Sequence, residues 1–477
     1  MSLTNQQKNQ HLLWRATFGP MAENVNELSH VPQKELYKLL SNTSSKKPDP
    51  LIVANSAMDG LVKGVQDLSQ MQKLTADQKK QLRKQSVDDI KNLNLTWLSE
   101  MINSEAQLRE KMSLFWHGHF ACRAINIYFQ QQLLNVIREN ALGNFGDLLR
   151  EVSKSPAMLS FLNNQQNKKQ HPNENFAREV MELFTMGRGN YTETDVKEGA
   201  RAYTGWGFNV GGEFVERPFL HDTGTKTFLG RTGNFDGDDV IDIILEQTAT
   251  AKFITQKIYK YFVNEKIDDE KVATLADRFY QNNYDLQKLM NDIFLSEWFY
   301  HEINIGTRIK SPVELIVGVR RLIPMELEKP EMQLLFQRVL GQVLFYPPNV
   351  AGWPGGKNWI DSSALMFRMR LPQILTNAQE FLVNPKDDDD TMMGREGVDK
   401  IRQAKQLNVT VDWDTVINVF NKTSKESLQQ KINEFVLQTK NSINPNVLKR
   451  YIDNTSREGF IKSTMVELMS TPEYQLC

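Results

Sequence analysis

Two histidines separated by a single residue are the first side chains in this sequence that could bind a metal ion. His117 and His119 lie in the segment FWHGHFA. On an extended segment this spacing puts both imidazoles on one side, whereas on a helix it turns them about 200° apart, so that they cannot share an ion. The preceding residues fit a helix that ends near Gly118. The sequence therefore leaves open a shared metal site and two purely structural histidines.

Two carboxylates on the next polar segment could also bind a metal or transfer protons. The segment NENFAREVMELFTMG predicts a helix that begins after Asn173 and ends before Gly187. On that helix Glu179 falls inside the apolar stripe and Glu182 on its edge. A buried carboxylate needs a cation, hydrogen-bond donors, a metal or a proton. An ion pair with Arg201, metal ligation and acid–base catalysis all remain open for Glu179.

A third group of polar residues follows in the segment LHDTGTK. A hairpin through Asp222 to Thr225 would bring His221 across from Lys226 and present an imidazole, a carboxylate and an ammonium from one turn. Aspartate and glycine are common turn residues, so a purely structural role in a turn would equally account for Asp222 and Gly224.

Together these residues make up a hypothetical metal-dependent hydrolase site. Its metal ligands are His117, His119, Glu179 and His221, and its catalytic residues are Glu182, Asp222 and Lys226. Mixed imidazole and carboxylate ligands suit Zn²⁺, Mn²⁺ or Fe²⁺, and a metal-bound water would be the nucleophile. Glu182 or Asp222 would assist as a general base, and Lys226 would hold an anionic substrate.

The alternative is a non-catalytic binding protein whose ligand contacts an aromatic loop. The segment from 341 to 363 is rich in Gly and Pro and carries Trp353 and Trp359. Exposing its many apolar groups would leave a large apolar patch, so we expect an ordered loop. We predict that it packs against the helix from Asn173 to Met186 and offers Asn349 or Lys357 to a ligand.

The elements that must position these residues are mostly helices. The periodicity predicts a multi-helical single body over residues 1–477, with a small β-hairpin region around 206–230. Within it we predict a linker at 41–50, long amphipathic helices at 55–116, a polar central region at 117–230 and a flexible acidic insertion at 387–397. Capping boxes at Thr192, Asp236 and Ser311 predict three helix starts.

Composition excludes several classes of protein. The 57 Lys and Arg residues balance 58 Asp and Glu residues, so we expect no nucleic-acid partner. Cys122 and Cys477 are the only cysteines, which excludes a disulfide framework and Cys-rich zinc modules. The sequence shows neither a signal peptide nor a long apolar run. It predicts a chain without a transmembrane segment that is cytoplasmic as it stands, or exported if a signal peptide had been removed.

Four segments resemble one known family. They are FWHGHFA, NENFAREVMELFTMGRGNYTETDVKEGARAYTGW, HDTGTKTFLG and PPNVAGWPGGKNWIDS, and they are similar to the bacterial family named domain of unknown function 1800 (DUF1800). The opening HLLWRATFGP and the closing STPEYQLC extend the resemblance over nearly the whole chain.

The resemblance implies little about chemistry, because the family has no settled reaction and no established catalytic residue. Many relatives are exported and are encoded near a sulfatase-like family. This association implies a role in the cell envelope or in polysaccharide metabolism, an anionic or carbohydrate ligand, and a sulfatase-like partner protein. Gly118 stands where relatives often have Asn.

Overall fold

The computed structural model describes residues 3–26, 28–54, 75–209, 211–377, 408–439 and 442–477. The chain is mostly α-helical, as predicted. The α-helices are α1 Asn5–Ala16, α2 Gln33–Ser44, α3 Ala76–Asn103, α4 Gln107–His119, α5 Ile127–Asn140, α6 Phe145–Lys154, α7 Pro156–Phe161, α8 Glu174–Glu179, α9 Glu193–Ala202, α10 Gly237–Leu245, α11 Thr248–Phe262, α12 Asp269–Gln281, α13 Leu286–Phe294, α14 Pro312–Leu322, α15 Met332–Leu340, α16 Ser362–Asn377, α17 Trp413–Phe420, α18 Lys425–Val436, α19 Pro445–Leu448 and α20 Arg457–Met469.

Short helices of other types connect them. A π-helix covers Val180–Thr185, and 3₁₀-helices cover Ala22–Asn26, Asn164–Gln166, Glu297–Tyr300, Glu302–Asn304, Gly356–Trp359 and Glu473–Gln475. No helix in the described ranges combines the length and apolar character that crossing a lipid bilayer requires.

The three predicted capping boxes are confirmed. Thr192, Asp236 and Ser311 each accept a hydrogen bond from the backbone amide three residues later, and the acidic side chain at that position accepts one from the cap residue's own amide. Each box satisfies donors that a helix start leaves without partners. Pro312 occupies the first turn of α14, where its missing N–H costs no hydrogen bond.

The strands form antiparallel pairs. They are β1 Trp206–Phe208 with β2 Phe214–Glu216, β3 Lys226–Phe228 with β4 Arg231–Gly233, and β5 Met325–Leu327 with β6 Val409–Val411. The first two pairs confirm the predicted small β region. The turn predicted at Asp222–Thr225 is wrong, because the β3–β4 hairpin turns at Leu229 and Gly230. Both have positive φ, +46° and +79°, as a two-residue hairpin of the favoured twist requires.

Among the described residues, two apolar cores hold the helices together. The larger includes the fully buried Trp14, Trp116 and Trp206, and the smaller lies around Trp97 and Phe345. Because α4 contributes Trp116 to the larger core and Leu114 to the smaller, it is buried on nearly all sides. This central helix carries both histidines of the FWHGHFA segment.

Helices end or begin at other residues than two of the predicted segment boundaries. Helix α2 continues to Ser44, so the first four positions of the predicted linker at 41–50 are helical. Ser44 is buried and accepts a hydrogen bond from the amide of Arg109, which places this turn against α4. In the predicted helical stretch 55–116, residues 76–103 are helical and α4 begins at 107. Residues 55–74 and the acidic insertion at 387–397 lie outside the described residues.

The 341–363 loop follows a defined path, as predicted, but on a different neighbour. Leu344 and Phe345 are buried, and the loop packs on α3 and α4, whereas the sequence predicted the 173–186 helix. A Cβ at Gly352 would lie 2.4 Å from the carbonyl oxygen of Gly118, so the two backbones nearly touch. Trp359 is buried, while Asn349 and Lys357 are exposed.

Candidate functional site

His117 faces the loop and the smaller core. Its Nε2 accepts a hydrogen bond of 3.2 Å from the amide of Phe345, so the ring is uncharged at that nitrogen. The rings of Trp97 and Trp353 lie 5.1 and 5.4 Å away between centroids. Burial lowers the pKa of His117 to about 3. The imidazole therefore stays neutral and fastens the loop to α4.

His119 faces a different neighbour, as a helix with this spacing requires. Its Nε2 lies 3.1 Å from the carbonyl oxygen of Phe184. Because a carbonyl only accepts, Nε2 carries the hydrogen, and Nδ1 is left to accept from the amine of Lys257 at 3.2 Å. Burial, and then the charge of Lys257, lower the pKa of His119 well below its usual value. Both ring nitrogens thus have fixed roles.

Lys257 lies on α11 and was not among the predicted site residues. Its amine also donates to the carbonyl oxygen of Leu183 at 3.0 Å and lies 4.7 Å from the centroid of the Phe253 ring. Burial lowers the pKa of Lys257 to about 8. Among the described ion pairs none involves Lys257, so no carboxylate stabilises its charge. The side chain is half-buried and reaches solvent.

The carbonyls that Lys257 and His119 contact belong to a π-helix. Asn173 caps α8 as predicted, and Gly187 has a φ of +75° as expected of a helix-ending glycine. Between them the predicted continuous α-helix widens into the π-turns of Val180–Thr185. The last carbonyls of any helix lack partners within it, and here a lysine and a histidine from other helices supply the donors.

The two carboxylates of this segment differ in their partners. Glu182 accepts hydrogen bonds from Arg188 at 2.5 Å and from the hydroxyl of Tyr191 at 2.8 Å. Glu179 is half-buried, and within the described residues it has no hydrogen bond or ion pair. Burial, and then the charge of Glu182, raise the pKa of Glu179. Arg201, the partner proposed for it from the sequence, instead pairs with Glu198 and Asp222.

The group around His221 is held by internal hydrogen bonds. The Nδ1–H of His221 donates to the carbonyl oxygen of Thr204 at 2.9 Å. Asp222 accepts two hydrogen bonds from Arg201, at 2.8 and 3.2 Å. Lys226 is fully buried, and its ammonium donates to the carbonyl oxygens of Asp222 at 2.5 Å and Gly224 at 3.2 Å. The ammonium folds back onto its own turn, which leaves few donors for a substrate.

The seven residues predicted from sequence therefore do not form one group: His221, Asp222 and Lys226 share a hydrogen-bonded turn, whereas His117, His119 and Glu182 have other partners and Glu179 has none among the described residues. His117 joins the loop, His119 joins Lys257 and the π-helix, and His221 joins Thr204. In the ranges that the structure describes, no three His, Cys, Asp or Glu side chains form a group suited to a metal ion. Their metal-binding and catalytic roles stay predictions.

A buried ion cluster beside α11 was also missed by sequence reasoning. Glu314 is 1% exposed and accepts hydrogen bonds from Lys111 at 2.5 Å and from Arg308. Although burial opposes its ionisation, Arg308 and Lys111 hold the pKa of Glu314 well below the usual value. The hydroxyl of Tyr261, one helical turn after Lys257, lies 3.5 Å from the same carboxylate. Polar groups thus follow one face of α11.

The sequence contained part of this information. Lys111 stands among the apolar residues of LREKMSLFW, so burial of its neighbours implied burial of the lysine. Lys257 gave no such signal, because Lys252 and Lys260 on the same helix are exposed. Only the tertiary fold distinguishes the three.

An open cleft of 720 Å³ lies elsewhere, between α6, α10 and α12. Its lining includes Asp147, Arg150 and Asp242, and the hydroxyls of Tyr280 and Tyr284 donate to backbone carbonyls. Because these polar groups already have hydrogen-bond or ion-pair partners, they are weaker candidates for a reactive group than Lys257.

Comparison with known proteins places the chain in a family. The family model described as "Protein of unknown function (DUF1800)" matches residues 11–476. The chain belongs to the DUF1800 family. For this DUF1800 chain, neither curated proteins nor solved structures gave a match. The family description names no reaction, so the chemistry of the DUF1800 chain has to be inferred from its residues.

Proposed function

We propose that this chain is an enzyme in which the amine of Lys257 is the reactive group and attacks the carbonyl carbon of a substrate. One observation carries the proposal: a half-buried amine, which has no carboxylate partner among the residues that the structure describes, donates to two fixed acceptors, Leu183 O and His119 Nδ1. A desolvated lysine without a counter-ion is the kind that serves as a nucleophile.

The hydrogen bonds orient this amine. A neutral amine has two N–H bonds and one lone pair. If both N–H bonds point to the Leu183 carbonyl and to His119, the lone pair occupies the remaining position and is free to react. His119 cannot compete for the lone pair, because its only N–H donates to Phe184. The lowered pKa of about 8 raises the unprotonated fraction near neutral pH.

The reaction would be imine formation. The amine nitrogen adds to an aldehyde or ketone carbon, the oxygen leaves as water after two proton transfers, and a C=N bond remains. Free reducing sugars carry such an aldehyde, so the proposal agrees with the anionic or carbohydrate ligand implied by the family resemblance. From the family resemblance we also propose a sulfatase-like partner protein and a role in the cell envelope.

Two alternatives remain to be tested against it. The first is the metal-dependent hydrolase. Both ring nitrogens of His119 already have hydrogen-bond partners, so binding an ion would break one of these bonds, which disfavours this alternative. Metal analysis of the purified protein tests it. In the non-catalytic alternative, Lys257 merely caps the π-helix end and supports a binding surface. Such a lysine would show no special reactivity.

The test is reductive trapping in the native protein. Glyoxylate and cyanoborohydride are added at limiting concentration, and peptide mass spectrometry measures the labelled fraction of each lysine. We expect Lys257 to be labelled several times faster than Lys252 and Lys260, the exposed lysines of the same helix. Equal or slower labelling of Lys257 would refute the proposal.

Lys257→Arg provides the matched variant. Arginine keeps a donor and a positive charge for the Leu183 carbonyl but cannot form the imine. We expect the variant to fold and to lose the fast-labelled peptide. The same variant then identifies the activity by its loss in any screen of carbonyl substrates.

A further inference from the structure

Five cationic side chains are buried together beside α11. They are Arg15, Lys111, Arg308, Lys310 and Arg368, each at most 6% exposed. They come from the first helix, the central helix, the segment before α14, and α16. Contacts join them: Arg308 and Lys111 share Glu314, and Arg368 donates to the carbonyl oxygen of Lys310.

Negative charge in this cluster is scarce. The interactions that raise the pKa of these cations come chiefly from Glu314 and from Cys477, whose backbone pairs with that of Arg308. Burial outweighs these influences at Arg15 and Arg368 and lowers the pKa of each to about 10, whereas at Arg308 the interactions with Glu314 and Cys477 outweigh burial and raise the pKa. The ammonium of Lys310 instead lies between two rings, 3.4 Å from the centroid of Trp14 and 3.7 Å from that of Tyr474.

The cluster also contains donors without acceptors. In the part of the chain that the structure describes, these fully enclosed groups have no hydrogen-bond partner: Arg15 Nε and Nη1, Arg308 Nε, Arg368 Nη1, Trp14 Nε1 and Gln475 Nε2. Each buried unpaired donor is costly, and a charged one more so. These unpaired groups are N–H donors, and the Tyr474 hydroxyl, which can donate or accept, is also buried without a partner among the described residues. An anion would accept hydrogen bonds from such donors.

We propose that this cluster binds one small inorganic anion of halide size, chloride under ordinary conditions, between the guanidinium groups of Arg15, Arg308 and Arg368. A water molecule would accept hydrogen bonds but leave the charge excess in place, so it satisfies only half of the requirement. The complete enclosure of the donors favours a monatomic ion over a tetrahedral oxyanion. The site would be structural, joining α1, α14 and α16.

Thermal unfolding of the full chain tests the proposal. The melting temperature is measured in sodium chloride, sodium bromide and sodium gluconate at equal ionic strength. A ligand that binds only the folded state raises stability with the logarithm of its concentration above its Kd. We expect such a rise in chloride and bromide but not in gluconate, and no halide dependence in Arg368→Met.

Arg321→Met is the control, because Arg321 is also buried and also donates to backbone carbonyls, those of Gly19 and Ile102. It should lower the melting temperature yet keep the halide dependence. If wild type shows no halide dependence, or if Arg368→Met retains it, the proposal is wrong. If Arg368→Met does not fold, crystals of wild type in bromide decide: an anomalous peak within hydrogen-bond distance of Arg15, Arg308 or Arg368 is expected, and its absence overturns the site.

Discussion

Lys257 Nζ and His119 Nδ1 lie 3.2 Å apart although 138 positions separate them in the sequence. The contact gives the lysine an acceptor rather than a counter-ion, and it fixes the tautomer of the histidine. Burial of this lysine without a counter-ion among the described residues lowers its pKa.

The stability of the protein should depend on pH through Lys257. Its pKa in the folded state is about 8, below the usual 10.5. Between these values the unfolded chain binds more protons than the native one, so stability rises with pH. Wild type should therefore gain stability relative to Lys257→Met as the pH increases from about 8 to about 10.5. Urea unfolding of both proteins across this range measures the difference. A constant difference would mean that Lys257 titrates normally.

Replacing Glu179 by Gln should leave the protein as stable as wild type near neutral pH, to within about 0.5 kcal/mol, or more stable. Its pKa is raised, so folding penalises the ionised carboxylate above that pKa, and the neutral amide removes this penalty. Below the usual pKa of 4.5 the two proteins should converge. Denaturant titrations at both pH values test this. A large loss would reveal a partner for Glu179, and a loss of bound metal would support the metal-dependent alternative.

Glu314→Gln should destabilise the protein by about 3–5 kcal/mol, because it leaves Lys111 and Arg308 buried without their carboxylate. The depressed pKa of Glu314 means that this stabilisation is complete above pH 4.5 and is lost as the pH falls further.

Glu246→Gln is the matched control for Glu314→Gln. Glu246 pairs with Arg231, and both side chains are 53% exposed. An exposed pair contributes only about 0–1 kcal/mol, so this variant should unfold almost like wild type. Comparable losses in the two variants would show that the Glu314 cluster is hydrated.

Gly352→Ala should detach the 341–363 loop from α4, since its Cβ would lie 2.4 Å from the Gly118 carbonyl oxygen. Gly341→Ala is the control that separates the cost of a positive φ from the cost of the Cβ clash at Gly352. Its φ of +87° matches the +82° of Gly352, yet a Cβ there meets nothing within 4 Å. Gly341→Ala should cost about 1–2 kcal/mol, and Gly352→Ala clearly more. Limited proteolysis should cleave the loop only in Gly352→Ala, and equal behaviour of the two variants would contradict the close packing.

Much of the helical framework could be predicted from local sequence. Thr192, Asp236 and Ser311 satisfy amides within three residues, so their signals do not depend on the rest of the fold. The small β region was also visible as a change of period. Its turn was misplaced because Asp222 and Gly224 are good turn residues, yet their carbonyls bind Lys226 instead of closing a hairpin.

The candidate site was less predictable because it depends on long-range contacts. The residue types at Val180–Thr185 do not distinguish this π-helix from an ordinary α-helix. The donors that satisfy its last carbonyls come from α4 and α11. Helical phase placed Glu179 in the core, but the segment changes pitch directly after it, and the side chain is half-buried. Lys257 could be distinguished from its neighbouring lysines only by burial.

The contact between α1 and α18 has a consequence for synthesis in the cell. Gln10 donates to the carbonyl oxygen of Phe435, 425 residues later. At about 5–20 residues per second, a ribosome needs roughly 20–85 s to make the intervening chain. During that time the apolar face of α1, with Leu12, Leu13 and Trp14, lacks its final covering. The apolar face of the first helix therefore stays partly uncovered until the last helices emerge from the ribosome.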